Sequence, residues 1–137
     1  MKKILLLLLF ASLNCRANTD VVIVSHLVNH NVKLTKQQVR QVYLGKSVTL
    51  ANNQISQPVS LGKENNFRRI FNAKILGLTE ARVQSYWAHM RFSGRSAAPK
   101  EVEGVHEMFV YLQNNHDAIG YVPKNIELPE DIVVIYP

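Results

Sequence analysis

Cysteine is nearly absent from this 137-residue chain, and the single one, Cys15, lies beside an N-terminal apolar run. A chain that loses that segment on export keeps neither a disulfide nor a thiol nucleophile, and must be held together by packing alone. A Gly-x-Ser-x-Gly elbow is missing as well, so nucleophilic catalysis has no visible candidate. Metal-ligand spacing is equally poor. His26 and His30 are four apart but fall where a strand gives way to a loop, and His106-Glu107 is followed at position 110 by Val, where a zinc-protease motif needs its second ligand. The sequence contains no internal repeat, low-complexity tract or linker. These absences argue against an enzyme and imply no cofactor.

What is present begins with an address. Lys2 and Lys3 precede an unbroken apolar run, Ile4 to Phe10, and Cys15-Arg16-Ala17 offers small residues at both recognition positions of a signal peptidase. The run meets Asn14 and Arg16 well short of the roughly 20 apolar residues of a membrane span. Residues 1–17 are expected to be a signal peptide cleaved after Ala17, making the protein periplasmic; acylation at Cys15 is the alternative, with poorly fitting neighbours. The remaining 120 residues suit one domain and carry 13 basic against 10 acidic side chains. That modest positive charge argues against nucleic acid but allows a local anion site.

Along residues 18–137 the pattern alternates between strand and helix. Asp20 to Ser25 is almost wholly apolar and β-branched, as in a strand buried on both faces. Thr35 with Gln38 forms a capping box, Leu34 and Val39 a hydrophobic staple, and Gly45 a helix stop. Ala51 to Gln54 reads as a turn, and Ile55 to Leu61, interrupted by Pro58, as an extended segment at an edge or strand start. Phe67, Ile70, Phe71 and Ile75 share one helical face, ending near Gly77; Val83, Tyr86, Trp87 and Met90 share another, capped by Thr79. A Gly94 turn and a Pro99 loop lead to a helix on Val105, Met108, Phe109 and Leu112, closed by Asn114-Asn115. Two short strands, Ala118 to Val122 and Asp131 to Tyr136, complete the chain. The expected class is α/β, a mixed β-sheet flanked by helices.

One stretch has a claim to chemistry. Leu61-Gly-Lys-Glu-Asn-Asn66 leads from a strand into the Phe67 helix, delivering backbone N–H groups to a helix start beside Lys63, Arg68 and Arg69. Oriented amides, a positive helix end and guanidinium forks suit an oxyanion. The plainer alternative is that Asn65 or Asn66 is an ordinary cap and the arginines are solvated. Arg91, Arg95 and Lys100 form a second basic stretch. Trp87 belongs to an apolar stripe and reads as core.

Several segments together resemble a known family. Leu34-Thr-Lys-Gln-Gln-Val-Arg-Gln-Val-Tyr-Leu-Gly45, Tyr86-Trp87 followed by Arg91-Phe-Ser-Gly-Arg95, and Ala118-Ile-Gly-Tyr-Val122 are similar, in this order, to stretches of the phosphate-binding proteins of bacterial ABC transporters, in particular their short single-lobe members. The resemblance implies one lobe of a type 2 periplasmic-binding-protein fold and an oxyanion such as phosphate as ligand. The expected site, its roles read from residue type, is Lys63 as a point charge, the backbone amides near Asn65 and Asn66, and Arg68 as a bidentate fork, with Arg95 as a second contact. Where the family has a Ser-Gly-Thr loop this chain has Lys-Glu-Asn-Asn-Phe-Arg, and Asp117 replaces a Gly. One lobe offers one wall, so a second copy or an envelope partner is expected to cover it. The competing expectation is an envelope interaction module that has lost ligand binding.

Overall fold

The computed structural model describes residues 20–50 and 52–137; the expected signal peptide, with cleavage after Ala17 or acylation at Cys15, lies outside the described residues. Strand β1 (Val21–His26) is buried along nearly its whole length, as its unbroken apolar sequence requires. Helix α1 (Lys36–Tyr43) starts at the expected box: Gln38 N–H donates to Thr35 Oγ1 at 3.2 Å, and Thr35 N–H to Gln38 Oε1 at 2.8 Å. It ends at Gly45, whose φ of +97° and contact with Ser96 leave no room for a side chain.

The turn expected over residues 51–54 is shorter: Asn53 and Gln54 belong to β3 (Asn53–Ile55), which pairs antiparallel with β2 (Val48–Leu50) in a small hairpin. Strand β4 (Gln57–Leu61) follows, then α2 (Asn66–Phe71), continued by a π-helical turn over Asn72–Leu76 that stops at left-handed Gly77. Helix α3 (Glu80–Phe92), strand β5 (Lys100–Val102), helix α4 (Val105–Asn114), and strands β6 (Ala118–Pro123) and β7 (Ile132–Tyr136) complete the fold. The main sheet runs β5-β4-β6-β1-β7. Strand β4 is parallel to β5 and β6, whereas β1 is antiparallel to β6 and β7, so the sheet is mixed.

Of the two placements expected for the Pro58 segment, an edge or a strand start, the structure gives the second: β4 pairs with β6 through Gln57 and Pro58 and with β5 through Val59, Ser60 and Leu61. Proline is tolerated at its second position because pairing to β5 begins only one residue later. The Pro99 loop, in turn, leads directly into an edge strand, β5, whose three residues include Lys100 and Glu101 and give no apolar alternation.

Past Pro58, side chains take over the work of the β6 ladder. Tyr43 of α1 donates its hydroxyl to Val59 O at 2.8 Å, and Tyr121 of β6 accepts from Leu61 N–H at 3.0 Å. Both rings pack on Phe71, which lies almost parallel to Tyr121 at 4.1 Å between centroids. These contacts fix the carboxyl end of β4 against α1 and α2. On the opposite side α4 lies close to β6 at Gly120, where an added Cβ would stand 2.2 Å from Met108 Sδ.

Candidate functional site

A cleft of about 280 Å³ opens beside the carboxyl ends of β4 and β5, the end of parallel strands where ligands of open α/β sheets bind. Ser60 of β4, Glu101 of β5 and Lys63 of the connecting loop line it, with Arg68 and Phe71 of α2. Helix α3 contributes Gln84, Trp87 and Arg91, three residues whose spacing places them on one helical face.

Among the lining side chains is the Arg68 guanidinium, of a residue only 4% exposed. Its Nε donates to Glu80 Oε2 at 3.0 Å and its Nη2 to Glu80 Oε1 at 2.6 Å, a two-point pairing of the fork with the carboxylate. Nη1 donates to Leu61 O at 2.8 Å and to Glu101 Oε1 at 2.7 Å. Glu80 also accepts from Asn72 at 2.7 Å and from Gln84 at 2.7 Å. The π-helical turn begins at Asn72, which is buried and whose side chain reaches the Glu80 carboxylate. Burial opposes charge on both partners, but the mutual hydrogen bonds outweigh it: the Arg68 pKa is raised and that of Glu80 held below the ordinary value. Burial likewise pushes the Tyr43 and Tyr121 phenols up, so both remain neutral donors and acceptors.

The expected site residues are not all brought together. The start of α2 is internally satisfied: Asn65 N–H donates to Gly62 O, Phe67 N–H to Asn65 Oδ1, and Arg68 N–H to Asn65 O. Asn65 is thus the N-cap, as the plainer alternative had it, but Arg68 is buried rather than solvated; Asn66 accepts from Arg69 through its side chain. The expected bidentate grip of Arg68 on a guest is already used on Glu80. Lys63 does border the cleft, whereas Arg95 lies past the Gly94 turn and does not line it; Arg91 does instead. Neither Lys63 nor Arg91 makes an ion pair among the described residues.

Sequence reasoning missed Glu80 and Glu101 as partners of Arg68. Glu80 reads as an acid favouring a helix start, and nothing local marks Glu101, 33 residues away. The Gln84, Trp87, Arg91 spacing was the signal that could have singled out Arg91. Among the described residues, no group of three or more His, Cys, Asp or Glu side chains is placed to hold a metal ion. No helix there is long and apolar enough to cross a membrane.

No protein-family model matches the chain, and no curated protein matches it. Among solved structures it is similar to an ABC-type phosphate transport receptor from Vibrio cholerae, at a TM-score of 0.60 and 18% identity. The likeness covers 84% of this chain and 44% of the receptor. It establishes the fold, a periplasmic-binding-protein-like α/β lobe. The chain spans less than half of the receptor's length.

Proposed function

We propose that this chain is a non-enzymatic, extracytoplasmic binding lobe that receives a small oxyanion such as phosphate at the Arg68 cleft, on behalf of an envelope transporter. The observation that carries this reading is the unequal hold on the buried guanidinium. Glu80 is 28% exposed and takes donors from three side chains, whereas the Glu101 side chain is 49% exposed and has one partner, Arg68. An entering oxyanion would replace the Glu101 carboxylate on Nη1, with Lys63 and Arg91 adding positive charge from the rim. Likeness to a phosphate transport receptor supports the substrate class.

The same geometry bounds the affinity. On an open face each hydrogen bond contributes about 1 kcal/mol, so three or four donors reach only the roughly 4 kcal/mol of millimolar binding. Micromolar capture, near 8 kcal/mol, would need a second wall from another copy or a partner protein. Calorimetry with phosphate and sulfate, on the unaltered chain and on Glu101→Gln, is the test. The expected result is millimolar binding, tightened about tenfold once the competing charge is gone. Absence of heat from both proteins at millimolar ligand overturns the proposal.

A second reading is favoured by the internal satisfaction of the α2 start and of Arg68: an interaction module that has given up the ligand. Under it, the Glu101→Gln variant binds no anion, yet the cleft face cross-links to an envelope protein through Lys63.

A further inference from the structure

Phe92 is 95% exposed, an unusual position for a large aromatic side chain when the other Phe, Tyr and Trp side chains among the described residues are buried or partly buried. It is not on a frayed end. Ser93 N–H donates to His89 O at 3.1 Å, Gly94 N–H to Arg91 O at 3.1 Å and Arg95 N–H to Met90 O at 3.2 Å. Ser93 Oγ adds a bond to Met90 O at 3.0 Å. The terminus of α3 is therefore a hydrogen-bonded knob that holds the ring out in solvent, with Gly94 at φ +67° making the turn.

The surroundings of the knob are basic. Arg91 and Arg95 flank Phe92, and neither has an ion-pair partner among the described residues. Beyond the knob, Ser96 packs against Gly45, the neighbour of Lys46. Lys46, Ser96 and Lys100 share a second cleft, whose lining contains no carboxylate. An apolar ring projecting from cationic side chains matches the chemistry of an anionic bilayer surface, where the ring enters the headgroup boundary and the guanidinium and ammonium groups meet phosphates.

We infer that the α3 terminus is a peripheral docking point for anionic phospholipid, with Phe92 as the inserted group and Arg91 and Arg95 as its electrostatic collar. This goes beyond oxyanion binding at the Arg68 cleft and stands without it. The test uses the full chain carrying Phe92→Trp, in which native Trp87 is only 4% exposed and the new indole reports on the knob. Far-ultraviolet circular dichroism checks that the variant is folded.

The expected result is a blue shift of emission with phosphatidylglycerol vesicles and none with phosphatidylcholine, reversed by salt. Adding Arg95→Glu weakens partitioning by on the order of tenfold. Unchanged emission while the chain pellets with the vesicles overturns the inference, since some other segment then binds. So does an equal shift with both lipids. A shift caused by envelope proteins but by neither vesicle also overturns it and assigns the knob to a protein socket.

Discussion

Arg68 and Glu80, twelve positions apart, are locked fork to carboxylate at 3.0 and 2.6 Å. The pair ties α2 to the first turn of α3, while the remaining guanidinium nitrogen, Nη1, holds Glu101 at the lining of the cleft. Stability and binding therefore compete for one guanidinium.

Glu80→Ala should destabilise the fold by about 3 kcal/mol, because it leaves a buried cation with only Glu101 and a carbonyl for partners. Urea unfolding measures the loss. A loss under about 0.5 kcal/mol, the scale of an ordinary surface substitution, would contradict the structural role given to the pair.

The same carboxylate sets the acid sensitivity. Burial works against its charge, but hydrogen bonds from Arg68, Gln84 and Asn72 hold its pKa below the usual 4.5. A group depressed in the folded state stabilises fully above its unfolded value, and that contribution is lost as pH falls through the folded one. Unfolding free energy should therefore fall with pH below about 4.5, and less steeply in Glu80→Gln. Parallel pH profiles for the two proteins would show that Glu80 is not the group responsible.

Gly45→Ala should cost about 1 to 3 kcal/mol, since the position has positive φ and its Cβ would meet Ser96 Oγ. Thermal unfolding reads this directly. The same substitution should also displace the segment from Ser96 to Pro99, part of which borders the cleft.

Much of this fold was legible from short-range pattern. The Thr35 and Gln38 capping box, the β-branched run of β1, and the apolar faces of α3 and α4 are each decided within a few residues, where local sterics and burial act. Strand β5 was not legible, because a three-residue edge strand is made by its partner β4 rather than by its own composition. The candidate site was legible only in outline. The sequence places Arg68 at a loop-helix junction, but the carboxylates that claim it arrive from α3 and β5. The expected contact Arg95 lies beyond the end of α3 at Phe92, whereas Arg91 falls on the cleft-facing side with Gln84 and Trp87.

Nuclear magnetic resonance titration with phosphate, following the Arg68 Nε–Hε signal and the amides of residues 62–66, tests the central claim most directly. If an oxyanion displaces Glu101 from the guanidinium, the Arg68 signal shifts saturably at millimolar phosphate, and at lower concentration in Glu101→Gln. If those signals stay fixed in both proteins, the Arg68–Glu80–Glu101 cluster is a structural pin and the cleft does not bind anions.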